Sequence, residues 1–334
     1  MKWPIYLRRL LLVAAFALLS STAWTPAAAL TGSGPTRIRF ARGATSGVVS
    51  GDLPAHTTAR YVLRAAARQL TDVTLSAPEG ARLKVTTTGG RRLTPIQGTS
   101  GPTGFRGYLP YTGDYILTVT SGSRAVSYSV NVSIPVRVRF DRGATSDSLE
   151  AHLNAHQGLD YILRAGAGQI MEINVTPETT DDTLQLIVYG VDGSVLRSRM
   201  GEGSSFRGEL PDSQDYLVSV RAGNQATDFS MDVIIPQRIR FQTGAYSGSV
   251  RTNLPANHTQ YYVLRAMEDQ SMQVEITPGD DLQLVVYGAD GTVLESDTTE
   301  GANFSGELPS SQDYILAVSA ADDPVSYRLR VTIR

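Results

Sequence analysis

The sequence predicts an all-β protein of three tandem antiparallel β-sandwich domains, jelly-roll-like, that follow a signal peptide. The first observation behind this prediction is that apolar residues alternate with polar ones, as at Tyr115, Leu117 and Val119. A period of two is typical of strands with one buried face. The second observation is that the same motifs return every 100 or 101 residues, which indicates three copies of one folding unit.

Residues 1–29 have the pattern of a secretory signal peptide. Lys2, Arg8 and Arg9 precede an apolar run, and small residues stand just before Leu30, where a signal peptidase would cleave. The run is about ten to fourteen residues long, whereas a membrane span needs about twenty. We therefore expect a secreted or extracytoplasmic protein, free or associated with the cell surface, without a membrane span after signal cleavage.

Recurring motifs define the limits of the repeats. An Arg-x-Arg-Phe motif opens each copy, a Tyr-x-Leu-Arg-Ala motif follows it, and a Leu-Pro turn later leads into an Asp-Tyr pair. Almost no linker separates the copies. The predicted domains span residues 37–135, 137–236 and 238–334.

Each repeat has room for about eight or nine strands, and none of its segments has a convincing helical period. The segment Gly288-Ala-Asp-Gly291 is expected to be a hairpin turn, because Asp-Gly supplies the positive φ that such turns need. The predicted core of repeat 1, with equivalents in the other repeats, consists of Phe40, Tyr61, Leu63, Phe105, Leu109, Tyr115, Leu117 and Val119.

The order of these motifs resembles that of the bacterial pre-peptidase C-terminal (PPC-like) β-sandwich domain. It is also similar to the periplasmic inhibitors of goose-type lysozyme, which share that sandwich. The resemblance covers all three repeats and rests on mostly structural motifs. It implies non-catalytic modules of exported proteins.

The resemblance to the lysozyme inhibitors implies inhibitor-like loops, since that family has a Ser-Gly-x-Tyr loop before a late strand. The matching residues here are Thr112, Gly113, Tyr115, Ser213, Tyr216, Ser311 and Tyr314. No copy has both the Ser and the Gly. A Tyr that begins a strand after a turn is also typical of a tyrosine corner, with a buried ring and a hydroxyl bonded to nearby backbone, and we favour that interpretation.

The chemistry-bearing residues argue against an enzyme. The absence of Cys excludes disulfides, thiolate metal sites and Cys nucleophiles, and neither a Gly-x-Ser-x-Gly nor a His-Glu-x-x-His motif occurs. Three of the four histidines occupy the same polar loop, one in each repeat, and one His cannot form a metal cage; the fourth, His152, lies near His156 without any companion motif, so solvated positions are the better interpretation. The four histidines are His56, His152, His156 and His258. We therefore predict a non-enzymatic protein without catalytic residues.

No cofactor or metal ion is predicted. Acidic pairs at residues 181–182, 280–281 and 322–323 carry the oxygen ligands that calcium prefers. Calcium is thus conceivable but not supported, since no readable loop supplies six ligands. Exposed turn carboxylates are the better interpretation.

The charge is distributed unevenly along the chain. Residues 37–136 have a formal net charge of +8, residues 137–236 one of −7 and residues 237–334 one of −6. The cations of the first repeat either pair with the acidic second repeat or bind an anionic partner. The candidate basic patch consists of Arg82, Lys84, Arg91, Arg92, Arg106 and Arg124. Nucleic acid is a poor candidate partner for an exported protein with few aromatics among these arginines.

Three hypotheses of function follow. The first is a secreted, non-catalytic binding or adhesion protein that contacts an extracellular glycan, wall polymer or protein at or beyond the cell surface. The second is an inhibitor of a goose-type lysozyme. The third is a structural spacer without a ligand.

Overall fold

The computed structural model describes residues 34–99, 101–179, 184–197, 204–295 and 302–334. The predicted signal peptide, residues 1–29, lies outside the described residues, as does the acidic pair at 181–182. All regular elements of the described residues are β-strands, and no helix among them is long and apolar enough to cross a membrane. The predicted all-β class is confirmed.

Each repeat forms eight or nine strands. In repeat 1 they are β1 (Thr36–Arg37), β2 (Ser46–Leu53), β3 (Thr58–Ala65), β4 (Leu70–Ser76), β5 (Arg82–Thr87), β6 (Gly104–Tyr108), β7 (Gly113–Thr120) and β8 (Val126–Ser133). In repeat 2 they are β9 (Val136–Arg137), β10 (Ser146–Leu153), β11 (Gly158–Ala165), β12 (Ile170–Pro177), β13 (Leu184–Gly190), β14 (Val195–Arg197), β15 (Ser205–Glu209), β16 (Gln214–Ala222) and β17 (Thr227–Ile234). In repeat 3 they are β18 (Gln237–Arg238), β19 (Ser247–Leu254), β20 (Thr259–Ala266), β21 (Ser271–Thr277), β22 (Leu282–Gly288), β23 (Val293–Glu295), β24 (Asn303–Glu307), β25 (Gln312–Ala320) and β26 (Val325–Ile333).

The strands of each repeat form two sheets, which we call sheet I and sheet II. In repeat 1, sheet I has the strand order β1-β3-β7-β5 and sheet II the order β2-β8-β4-β6. The equivalent strands of repeats 2 and 3 have the same order, and β14 and β23 add a fifth strand at the edge of sheet I. All pairs are antiparallel except that of the short first strand, which runs parallel to its neighbour. The strand order is therefore that of the same two-sheet sandwich in each of the three repeats.

The inner faces of each pair of sheets enclose one apolar core per repeat. Seven of the eight core residues predicted in repeat 1 are buried. Phe40 is the exception, because it is half-buried and packs at the rim of the core. Its ring lies across the backbone of Gly47, where an added Cβ would be 2.8 Å from the ring atom Cδ1. The buried residue of that motif is its neighbour Ile38.

The described residues form two compact units, one that ends at Ile235 and one from Pro236 to Arg334. The first unit contains repeats 1 and 2, and the second contains repeat 3. The division into three domains, with limits at 37–135, 137–236 and 238–334, stays a prediction.

Candidate binding surface

The outer face of sheet I in repeat 1 carries a group of exposed cations. Arg60 on β3 and Lys84 on β5 both lie opposite Thr118 of the central strand β7, and Arg82 lies opposite Thr120. Residues directly opposite each other in a sheet point to the same side. The three cations therefore share one face, and all three are exposed.

Arg92 extends this group beyond the edge strand β5. It forms an isolated antiparallel bridge with Thr86, so its side chain points to the same side as Lys84. We call Arg60, Arg82, Lys84 and Arg92 the basic face. Within the described part of the chain, none of these side chains has a hydrogen bond or ion pair. Solvent and dissolved salt screen the repulsion among these like charges.

The other residues of the predicted patch lie elsewhere. Arg91 precedes Arg92 in the exposed turn after β5, and Arg124 is exposed in the turn between β7 and β8. Arg106 lies on β6 of the opposite sheet, where its Nε is 2.8 Å from Oδ2 of Asp72. The structure thus brings Arg82, Lys84 and Arg92 together and separates Arg106 from them. The sequence-based patch did not include Arg60. Its position one residue before the Tyr-x-Leu-Arg-Ala motif, where side chains alternate between the two faces of a strand, was the signal that could have placed it on the outer face.

The same outer face has a different role in repeat 2. The positions that hold Thr86 and Lys84 in repeat 1 hold Tyr189 and Ile187 in repeat 2, by register with the central strand. Repeat 1 covers this apolar face with the outer side of its sheet II. The contact is a small apolar cluster formed by Leu70, Ile162, Val191 and Leu217, with Ile96 and Tyr189 at its edge.

A buried carboxylate lies beside this cluster. Asp160, at the position of Arg60, is 7% exposed and accepts hydrogen bonds from the hydroxyls of Ser133 in repeat 1 and Ser219 in repeat 2. Its backbone N–H donates to Oγ1 of Thr45, 2.8 Å away. The guanidinium of Arg221 lies 3.6 Å from its Oδ1. Hydroxyl donors and one cation thus satisfy a charge that burial would otherwise disfavour.

A second polar contact joins the two repeats at Asp215. This carboxylate accepts the hydroxyl hydrogen of Tyr108 from repeat 1 and pairs with Arg137 at 2.7 Å. Burial raises the pKa of Asp215, but the hydrogen bonds from Arg137 and Tyr108 outweigh it and hold that pKa below its usual value. Arg106 adds a cation–π contact, with its guanidinium carbon 5.0 Å from the ring centroid of Tyr189.

Charge pairing across this interface does not account for the cations of repeat 1. Their ion pairs are those of Arg37 and Arg64 with Asp114 and of Arg106 with Asp72, all inside repeat 1. No cation of repeat 1 forms an ion pair with a carboxylate of repeat 2 in the residues that the structure describes. The cations of the basic face therefore remain available to a partner.

The inhibitor-like loops are held by internal hydrogen bonds. Tyr115, Tyr216 and Tyr314 are fully buried, and each hydroxyl donates to the carbonyl four residues earlier, as in a tyrosine corner. The residues at the Ser position also have internal partners, since each hydroxyl oxygen accepts a backbone N–H from the turn after β3, β11 or β20. These residues are Thr112, Ser213 and Ser311, with N–O distances of 2.9 Å. Gly113 begins β7.

The Asp before each of these tyrosines explains the Arg-x-Arg-Phe motif. The first Arg of the motif pairs with that Asp in every repeat, at 2.9 Å, 2.7 Å and 2.9 Å. The pairs are Arg37–Asp114, Arg137–Asp215 and Arg238–Asp313. Two motifs that lie far apart in sequence thus form one structural contact.

The histidines lie in loops or on an exposed strand. His56 and His156 have a positive φ in the turn before the Tyr-x-Leu-Arg-Ala strand, and Asn257 takes that position in repeat 3. The exposed side chains of His152 on β10 and Asp228 on β17 lie opposite each other and pair at 2.8 Å. Among the described residues, no group of three or more His, Asp or Glu side chains is placed to hold a metal ion.

No protein-family model and no curated protein matches the chain. Among solved structures, PliG of Aeromonas hydrophila, a periplasmic lysozyme inhibitor of g-type lysozyme, is 23% identical and covers 30% of this chain and 95% of its own, with a TM-score of 0.27. PliG of Salmonella Typhimurium is 19% identical over 30% of this chain and 96% of its own, with a TM-score of 0.24. A structure of Sulfolobus turreted icosahedral virus is 12% identical over 84% of this chain and 83% of its own, with a TM-score of 0.20.

Proposed function

We propose that this chain is a secreted, non-catalytic binding protein that holds an anionic extracellular polymer on the basic face of repeat 1. One observation carries the proposal. The basic face has four exposed cations that have no hydrogen bond or ion pair among the described residues, and two of them, Arg60 and Lys84, stand where repeat 2 has Asp160 and Ile187. An exposed group of side chains that concentrates one sign of charge is a candidate for recognition.

The chemistry of the face suits a polyanion with hydroxyl groups. Arginine binds carboxylate or phosphate through two parallel N–H donors, and Lys84 adds a point charge. On the central strand, Thr118 lies between Arg60 and Lys84 and Thr120 lies beside Arg82, so both can supply hydroxyl groups to a sugar. The exposed side of the sheet gives a surface along which a wall polymer or acidic glycan can lie.

The test is a sedimentation assay of the mature protein with purified cell walls and with polygalacturonate, at low and high salt. In the variant Arg82→Glu with Lys84→Glu, we expect retention at low salt to fall about tenfold or more, because two attractions become repulsions. The matched control is Arg251→Glu with Arg328→Glu. It reverses two charges on exposed strand positions of repeat 3 and should change retention less than about twofold.

Equal losses in the two variants would show a response to total charge and would overturn the proposal. Retention that high salt does not reduce would also contradict an electrostatic site. A goose-type lysozyme bait runs in parallel. Its capture by the wild-type protein and both variants, with no retention on walls or polygalacturonate, would favour the inhibitor hypothesis instead.

A further inference from the structure

Repeat 2 contains a cleft of about 380 Å³ at the start of sheet I. It lies between the Arg-x-Arg-Phe segment, which begins in β9, and the end of β11. Cationic side chains line part of it, and apolar side chains line the rest. The lining includes Arg137, Arg139, Phe140, Leu163, Arg164 and Ile235.

The three arginines of the cleft differ in what they bind within the protein. Both terminal nitrogens of Arg137 donate to Asp215, at 2.7 Å and 3.2 Å. Arg164 donates one N–H to the carbonyl oxygen of Ser213 at 2.9 Å. Arg139 is exposed, and within the described residues its side chain has no hydrogen bond or ion pair. Arg139 and the remaining donors of Arg164 can therefore take an anionic group.

The apolar part of the cleft limits the class of ligand. Phe140 and Ile235 are half-buried and Leu163 is buried, so the floor of the cleft is hydrocarbon. An inorganic anion would contact the guanidinium groups and would leave the apolar floor of the cleft exposed to water. A ring with a carboxylate on one side would use both parts, and a volume of about 380 Å³ is in the range of small-molecule sites.

The same side chains occur in all three repeats. Arg139 corresponds to Arg39 and Arg240, and Arg164 to Arg64 and Arg265. The first Arg of each motif is explained by its Asp partner, and Arg164 and Arg265 by their bonds to a loop carbonyl. The second Arg of the Arg-x-Arg-Phe motif is exposed in every copy, and its side chain has no hydrogen bond or ion pair among the described residues. No polar contact within the described residues explains why this Arg recurs three times, whereas a ligand would explain it.

We propose that the cleft of repeat 2 binds a carboxylated sugar ring. The carboxylate lies between the guanidinium groups of Arg139 and Arg164, and the ring packs on Phe140. Arg137 stays paired with Asp215 and orients the segment. This site is separate from the basic face of repeat 1, so it does not depend on the function proposed above.

The experiment is a titration of the isotope-labelled mature protein, followed by NMR shifts of backbone amides. The probes are trigalacturonate, neutral galactotriose and inorganic phosphate. We expect trigalacturonate to shift the amides of residues 137–140 and 163–169 with saturation, and galactotriose to leave them unchanged. Arg139→Ala should weaken that binding about tenfold or more, because it removes half of the carboxylate clamp.

The matched control is Arg142→Ala, an exposed arginine three positions further along the same segment, which should change affinity less than about twofold. The unperturbed remainder of each spectrum reports that the variant is folded. Equal effects of the two variants, or saturable shifts with galactotriose, would overturn the site. If phosphate binds the cleft as tightly as trigalacturonate, the assignment to a sugar acid is wrong.

Discussion

The outer faces of sheet I in repeats 1 and 2 occupy equivalent positions and have opposite characters. In repeat 1 this face carries exposed cations beside the buried residues Val62 and Thr86, whereas in repeat 2 it has apolar residues that repeat 1 covers. The equivalent pairs are Arg60 and Asp160, Lys84 and Ile187, Thr86 and Tyr189, and Ile116 and Leu217.

This difference shows that the sandwich itself does not determine how a repeat is used. The inner faces are similar in both repeats, since each core rests on the same Tyr, Leu and Val positions. A change of a few outward residues on β3 and β5 distinguishes a face that packs against a neighbouring repeat from one that carries exposed cations. The inner face is thus constrained by folding, whereas the outer face is free to acquire either role.

The largest expected effect comes from a charge placed in the covered face. Leu217 is 1% exposed, and Leu217→Lys should lower the free energy of unfolding by about 4 kcal/mol, because truncating a buried Leu alone costs about 2–5 kcal/mol. The matched control is Ile116→Lys, at the equivalent half-buried position of repeat 1, with a cost of about 1 kcal/mol or less. Urea unfolding followed by circular dichroism measures both. Equal costs would show that the two faces do not differ in burial.

The second effect concerns the buried carboxylate of the covered face. Asp160→Ala should cost about 2 kcal/mol, since it leaves the hydroxyls of Ser133 and Ser219 without their acceptor. Arg60→Ala, at the exposed equivalent position, should change stability by no more than about 0.5 kcal/mol. The same unfolding experiment compares them. A larger cost for Arg60→Ala would mean that the basic face contributes to packing.

The inner faces of the sandwich were predictable from the sequence because alternation is a local signal. Tyr115, Leu117 and Val119 are buried as the period of two indicates. The difference between the two outer faces had a weaker sequence signal, which is the pattern of apolar residues in β5 and β13. Arg82-Leu-Lys-Val-Thr86 alternates, whereas Leu184-Gln-Leu-Ile-Val-Tyr189 is nearly continuous in apolar residues, as expected of a strand buried on both faces.

The candidate site was predictable in part. Arg82, Lys84 and Arg92 belong to the basic face because two lie at alternate positions of one strand and the third pairs beside it. The place of Arg106 was not predictable, because its partner Asp72 lies 34 residues away on a neighbouring strand. Composition gives the excess charge of a repeat, but strand order decides which cations are neutralised.

Arg106 therefore provides a third and smaller test of the comparison. Arg106→Ala should cost about 1–2 kcal/mol, because it removes a partly buried ion pair with Asp72 and the cation–π contact with Tyr189. It should leave retention on polygalacturonate unchanged. Arg92→Ala should have the opposite profile, with little effect on stability and weaker retention. If Arg106→Ala impairs retention as much as Arg92→Ala does, the assignment of the site to sheet I is wrong.

The smallest effect compares the two Arg–Asp pairs at Asp114 and Asp215. Asp215 is 5% exposed and also accepts a hydrogen bond from Tyr108, so Asp215→Asn should cost about 1–2 kcal/mol at pH 7. Its pKa in the folded protein lies below the ordinary value of 3.8. The stabilisation is therefore complete above the pKa of the unfolded chain and is lost as the pH falls through the lower, folded pKa.

The free energy of unfolding, measured against urea between pH 7 and pH 2.5, should thus show the Asp215→Asn difference shrinking below pH 4. Asp114→Asn is the control. The hydrogen bond from Arg37 also lowers the pKa of Asp114, but this carboxylate is partly exposed to solvent. Its effect should be smaller at every pH and more sensitive to salt, because exposed pairs are screened. If the two variants behave alike, contact with repeat 1 adds nothing to the pair at Asp215. If Asp215→Asn has the larger effect, Tyr108 and burial together convert an ordinary surface pair into a contact that holds the two repeats together.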